Sequence, residues 1–139
     1  MSAPGGPPAA PETRDGPRVL LVDDQSGIRA SLANLLRDEG IPVVGEATDG
    51  AEGVARARDL HPDVILMDLR MPRLNGIQAT RQIKQVLPGT EVVIFTAYDD
   101  PGLEENAAAV GVYAYLVKGC PPDEILQTVV EAWTSGRHT

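Results

Sequence analysis

Residues 63–68 read Asp63-Val64-Ile65-Leu66-Met67-Asp68, a run of large apolar side chains closed at each end by an acid. Side chains along a strand alternate between its two faces, so four successive apolar residues make a strand that is covered on both sides. Such strands belong to parallel sheets sandwiched between helices. The run therefore sets the expectation of an α/β domain, and its neighbours agree.

Upstream, Val19-Leu20-Leu21-Val22 is a run of the same kind, followed by a helix from about Ser26 whose Ile28, Leu32, Leu35 and Leu36 form one stripe before Gly40 stops it. A short second strand is expected over 42–46. A helix over 51–60 follows, introduced by Asp49-Gly50, with Val54, Ala55 and Arg58 at i, i+1 and i+4, and Pro62 stands beyond its end. Downstream, a loop with Pro72 and Asn75-Gly76 leads to a helix over 77–86 with Ile77, Ile83 and Val86 available to pack, and Pro88-Gly89 ends it. The fourth strand is expected over 92–95, an Ala-rich helix over 103–110 and the fifth strand over 113–117. Pro121-Pro122 then opens a final helix that turns Ile125, Leu126, Val129, Val130 and Trp133 inward. Five strands each followed by a helix imply a doubly wound domain, because right-handed crossovers place helices on both faces of a parallel sheet.

The chain has 139 residues, 42% of them hydrophobic and 4% aromatic, so one domain with an aliphatic core is expected. Residues 1–16 are dense in Pro and Gly and read as a flexible tail, 17–136 as the domain and 137–139 as a frayed end. The apolar runs are far shorter than the roughly 20 residues that cross a bilayer, and the N-terminus lacks the pattern of a secretory signal, so no membrane association and a cytoplasmic location are expected. Cys120 is the single cysteine, which excludes an internal disulfide framework and leaves a structural thiol. A net charge of −8 repels nucleic-acid phosphates, so no DNA binding by this chain alone is expected. His61 and His138 have no metal-ligand spacing, and Arg56, Arg58 and Arg81 read as solvated faces.

In doubly wound sheets ligands bind beyond the carboxyl ends of the strands. Those positions hold Asp23 and Asp24 after the first strand, Asp68 after the third, Thr96 after the fourth and Lys118 after the fifth. Singly, each has an ordinary explanation as a cap, a strand end or a solvated charge. Together, with the first and third strands adjacent at about 4.8 Å, the three carboxylates converge and repel one another unless a cation sits among them. An all-oxygen set with few ligands and room for water suits Mg²⁺ better than Ca²⁺. With a Lys ammonium and a Thr hydroxyl alongside, the pocket combines a nucleophilic carboxylate, a metal and two donors for phosphoryl oxygens, the makings of a phosphorylation site on aspartate.

Asp23-Asp24, Leu66-Met67-Asp68-Leu69-Arg70-Met71-Pro72 with Gly76, Thr96-Ala97 and Tyr115-Leu116-Val117-Lys118 together resemble the receiver domain of two-component response regulators. The resemblance covers about 18–136, and the Asp68-Leu-Arg-Met-Pro stretch is most similar to the NarL/FixJ-type subgroup. It implies a flavodoxin-like (βα)5 fold with strand order 2-1-3-4-5. It also implies a regulatory phosphoacceptor that catalyses its own phosphorylation and dephosphorylation, rather than an enzyme acting on an external substrate. By the same resemblance Asp68 is the phosphoacceptor, Asp24 a direct Mg²⁺ ligand, Asp23 a ligand through water, and the backbone carbonyl of Arg70 completes the set. Thr96 and Ala97 receive the phosphoryl group, Lys118 pairs with Asp68 and then with phosphate, and Tyr115 reports the switch. Arg70 and Tyr98, two places beyond Asp68 and Thr96, tune the lifetime of the phosphorylated state. The implied partners are a sensor histidine kinase and a second copy, through the face of helix 4, strand 5 and helix 5 or through other helices. The implied output is transcription, through a C-terminal DNA-binding domain that the sequence ending at Thr139 does not contain. One departure is Gly119, where many receivers have proline.

Two other readings fit less well. An aspartate-nucleophile phosphatase ordinarily needs a second acid two residues past the nucleophile, and Arg70 stands there. A flavodoxin-like cofactor carrier or a degenerate receiver is disfavoured because no Gly-rich phosphate loop follows the first strand and no key acid is missing.

Overall fold

The computed structural model describes residues 16–136. The tail expected over 1–16, Gly16 apart, and the frayed end at 137–139 with His138 lie outside the described residues. Ten elements alternate strictly: β1 (Val19–Val22), α1 (Ser26–Asp38), β2 (Val43–Ala47), α2 (Gly50–Leu60), β3 (Val64–Met67), α3 (Gly76–Val86), β4 (Glu91–Thr96), α4 (Pro101–Ala109), β5 (Ala114–Val117) and α5 (Pro122–Gly136). All strand pairs are parallel, in the order β2-β1-β3-β4-β5. This is the expected 2-1-3-4-5 sheet.

The continuous apolar runs are buried on both faces, as their composition requires: every residue of β1 and β3, and Val92 through Thr96 of β4, is buried. Alternation divides them between two cores. Val19, Leu21, Val64, Leu66, Val93 and Phe95 pack with Leu32 and Leu36 of α1 and Ile125 and Val129 of α5. Leu20, Val22, Ile65, Met67 and Ile94 pack on the opposite face with Val54 and Ala57 of α2, Ile83 of α3 and Ala107 of α4.

Three inward assignments differ from the sequence reading, each because the buried stripe runs at helical spacing through smaller residues. In α2 the stripe is Gly50, Gly53, Val54 and Ala57, which leaves Ala55 exposed; Arg58 is exposed as well, in keeping with its reading as a solvated face. Glycine at 53 lets α2 lie close to the sheet, since a Cβ there would meet the Val22 side chain at 3.0 Å. In α3 the stripe passes from Ile83 to Leu87, and Val86 stays 45% exposed. In α5 it runs through Ile125, Thr128, Val129 and Ala132, so Val130, a further 100° around the helix, is 41% exposed. Helix α4 also begins earlier than expected, at Pro101, because the Asp100 carboxylate accepts from the Gly102 and Leu103 amides and proline suits the first helical turn.

Candidate functional site

The order β2-β1-β3 reverses the winding between β1 and β3, opening a crevice beyond their carboxyl ends. Val22 and Met67 are register partners, and the Asp68 amide donates to the Val22 carbonyl at 2.9 Å, so Asp23 and Asp68 leave the sheet side by side. On the other flank Thr96 pairs with Val117, and the Lys118 amide donates to the Thr96 carbonyl at 2.7 Å. The strand register alone thus brings four of the expected side chains to one rim.

Carboxylate oxygens of Asp23, Asp24 and Asp68 lie within 4.8 Å of one another. Asp23 and Asp68 are buried, whereas Asp24 is exposed at the mouth. Lys118 enters from β5: its Nζ lies 2.9 Å from Asp23 Oδ2 and 3.3 Å from Asp68 Oδ2. The remaining Asp23 oxygen accepts from the Gln25 amide at 2.9 Å, and Asp68 Oδ1 accepts from the Leu69 amide at 2.8 Å. Burial pushes the Asp68 carboxyl above its ordinary pKa and the Asp23 charge adds to this; Lys118, the Leu69 amide and the Thr96 hydroxyl offset only part. Burial disfavours the Lys118 ammonium, but its bond to Asp23 and the charge of Asp68 outweigh that and raise its pKa. One ammonium therefore faces three acids, an imbalance that a divalent cation at the exposed Asp24 side would correct. Hard oxygen donors with an open side are the donor set Mg²⁺ prefers, and the residues fit it.

The crevice floor is held by close backbone approach. Gly76, first residue of α3, sits where a Cβ would lie 2.2 Å from the Asp68 carbonyl oxygen, and its amide donates to the Leu69 carbonyl at 2.8 Å. Asn75 makes a reciprocal cap with Gln78, which starts the helix at that point.

Around the rim, the Arg70 guanidinium stacks over the Tyr98 ring with 4.4 Å to its centroid. The Tyr115 hydroxyl donates to the Tyr98 carbonyl at 2.5 Å. Burial and the nearby Asp100, Glu104 and Asp99 charges raise the Tyr115 pKa, which keeps the phenol a donor. Ala97 is exposed beside Thr96, and Gly119 after Lys118 adopts φ +103°, a conformation glycine takes without strain. Burial pushes the Cys120 thiol up, which favours its protonated form. His61 caps the end of α2 in the left-handed region with φ 48° and lies apart from the acids.

Three contacts, made by two arginines, were not foreseen from the sequence. Arg29 of α1 reaches Glu46 of β2 and the Asp23 carbonyl, and Arg73, at φ 70°, bonds the Asp49 carboxylate. Arg29 carried a weak signal: an arginine on the first turns of a helix just after the paired acids.

Fold and pocket together define an open α/β signalling domain with an acidic pocket at its winding reversal. The chain matches the response regulator receiver domain family over residues 19–130 and belongs to it. It is 45% identical over 103 residues to the transcriptional regulatory protein PdtaR of Mycobacterium tuberculosis, covering 73% of this chain and 49% of that protein. To the chemotaxis protein CheY of Thermotoga maritima it is 32% identical over 114 residues, covering 82% of this chain and 95% of CheY. The solved receiver domain of the response regulator NarL from Mycobacterium tuberculosis superposes with a TM-score of 0.83 at 32% identity, covering 87% of this chain and 98% of that one. The chain spans about half the length of the first curated relatives it matches, 54% for LnrK of Bacillus subtilis and 49% for PdtaR. No helix among the described residues is long and apolar enough to cross a membrane.

Proposed function

We propose that Asp68 accepts a phosphoryl group from the phosphohistidine of a sensor histidine kinase. One carboxylate oxygen of Asp68 forms the new O–P bond while the N–P bond of the donor breaks and its imidazole leaves. Asp24 directly, Asp23 through water, Asp68 and the Arg70 carbonyl would hold Mg²⁺, which supplies charge neutralisation for the phosphoryl oxygens. Lys118, already 3.3 Å from Asp68, moves its hydrogen bonds to the phosphoryl group, and Thr96 donates its hydroxyl to a second oxygen. Ala97 leaves room for the group. Hydrolysis reverses the state: water attacks phosphorus, the O–P bond breaks and phosphate leaves the free carboxylate.

The observation that carries this reading is the convergence of three carboxylates and one ammonium at the β1–β3 reversal. The switch would run from Thr96 toward Tyr115, whose hydroxyl bonds the Tyr98 carbonyl and ties β5 to the loop after β4. The surface of α4, β5 and α5 would then change its partner preference. Asp99, Asp100, Glu104, Glu105, Asp123, Glu124 and Glu131 carry that region, and its one described base, Lys118, is spent in the pocket. Two copies meeting through it would set acids against acids, so self-pairing is better served by other helices. Control of transcription in the cytoplasm, through a DNA-binding domain elsewhere in the full protein, completes the proposal; this domain itself would not bind DNA.

Nuclear magnetic resonance of the backbone amides with beryllofluoride and Mg²⁺ tests the switch. Shifts should spread from Asp68 through Thr96 to Tyr115 and α4, and vanish in Asp68→Asn. Shifts confined to the metal pocket would contradict it.

A further inference from the structure

Asp23 is held at every polar atom. Its amide donates to the Ala47 carbonyl of β2 at 3.1 Å, and its two carboxylate oxygens take the Gln25 amide and Lys118. Its carbonyl oxygen accepts from Arg29 Nη1 at 2.6 Å. That carbonyl belongs to the peptide plane joining Asp23 to Asp24, and a peptide is rigid, so fixing its oxygen fixes the direction in which the chain enters Asp24. Asp24 is the exposed acid of the trio and sits in the short link between β1 and α1.

Arg29 can serve as such a fixture because it is itself oriented. Its Nε donates to Glu46 Oε1 at 2.9 Å, and its side chain is only 16% exposed. Glu46 lies on β2 in register with Leu21 of β1, so the guanidinium spans from the edge strand to the end of its neighbour. A planar fork reaches both acceptors at once; an ammonium is a point donor and satisfies one well.

We propose that Arg29, oriented by Glu46, is a positioning residue for the metal-binding side of the pocket: it sets the Asp23–Asp24 peptide so that the Asp24 carboxylate faces Asp23 and Asp68. The inference rests on the proposed Mg²⁺ site. It makes a prediction opposite in sign to simple electrostatics. Removing a cation near a divalent-cation site strengthens binding by Coulomb's law. Removing a residue that holds the ligand in place weakens it.

The test is Mg²⁺ affinity by calorimetry, with Mn²⁺ by electron paramagnetic resonance as a second probe, for the parent, Arg29→Gln, Arg29→Lys and Glu46→Gln. Melting in excess chelator checks that each variant is folded. Arg29→Gln should bind Mg²⁺ about tenfold more weakly, Arg29→Lys several-fold more weakly despite keeping its charge, and Glu46→Gln two- to threefold more weakly. Without metal, the Asp24 and Gln25 amides should exchange faster with solvent in Arg29→Gln. Unchanged or tighter binding in a folded Arg29→Gln, with Arg29→Lys equal to the parent, would overturn the inference and leave the proposed function standing. Failure of the parent itself to bind Mg²⁺ would overturn both. Should Arg29→Gln not fold, the Arg29→Lys and Glu46→Gln affinities decide by the same criterion.

Discussion

At the scale of single residues the pocket is charged against itself. Asp68 has a folded-state pKa raised above its unfolded value by burial and by Asp23. The native state therefore binds that proton more tightly than the unfolded chain does. The associated stability is complete below the unfolded pKa near 3.8 and is lost as pH rises through the folded value. At neutral pH an ionised Asp68 is a cost, with Lys118 shared between it and Asp23. In metal-free buffer at pH 7, Asp68→Asn should melt roughly 3 to 5 °C above the parent, a shift on the order of 1 kcal/mol for a domain of this size. The gain should shrink as pH falls through the raised folded-state value, where the parent carboxyl protonates, and a saturating Mg²⁺ concentration should cancel it by stabilising the parent. A lower melting temperature for Asp68→Asn under metal-free conditions would contradict this assignment of charge. Arg70 and Tyr98 carry a second consequence at this scale. They are large, and the Arg70 guanidinium stacks over the Tyr98 ring at the rim. Water must reach phosphorus in line with the leaving Asp68 oxygen, and on the proposed reading bulky side chains over that approach would lower the population of reactive geometries. Replacing both with smaller residues should shorten the phosphorylated lifetime at least several-fold, measured by loss of phosphoprotein signal with time; equal decay would remove both from that role.

At the scale of elements, the sequence showed the strands more clearly than the helix faces. The runs at Val19–Val22 and Val64–Met67 are short, contain β-branched residues and are bounded by charged ones, which favours strands over buried helix turns, and every residue of both is buried. Helix orientation depends on which small residues approach the sheet. Gly53, Ala57 and Ala79 are nearly invisible to a hydrophobicity reading, yet they line the buried stripes, which is why Ala55 and Val86 were turned the wrong way. The paired acids, Asp68, Thr96 and Lys118 were legible because strand ends locate them once the sheet is known. Arg29 with Glu46 and Arg73 with Asp49 were not, since each joins residues 17 or 24 apart whose meeting depends on the folded helix–strand geometry. The Asn75 cap and Gly76 fix where α3 starts and how tightly it lies against Asp68. Gly76→Ala would place a Cβ where the Asp68 carbonyl lies and must displace the loop. Its expected effect is a destabilisation of roughly 2 to 3 kcal/mol, from overpacking against backbone, with weaker Mg²⁺ binding. Chemical denaturation with parallel Mg²⁺ titration measures both, and a Gly76→Ala variant with parental stability and affinity would show that α3 has freedom the structure does not suggest.

At the scale of the whole molecule, the fold separates stability from signalling. Two aliphatic cores hold the sheet, one on each face, while the charged chemistry is confined to one edge of it. The pocket residues come from β1, β3, β4 and β5, and the Tyr115 hydroxyl of β5 bonds the Tyr98 carbonyl beyond β4, so the proposed switch would reach the α4–β5–α5 region along that path. The account stands on the chemistry of Asp68. The measurement that tests it most directly is mass spectrometry of the intact protein and its peptides after incubation with a small phosphodonor such as acetyl phosphate and Mg²⁺. The predicted result is one added phosphoryl group, mapped to Asp68, dependent on Mg²⁺ and absent in Asp68→Asn. A phosphoryl group retained in the Asp68→Asn protein, or none in the parent, would contradict the account.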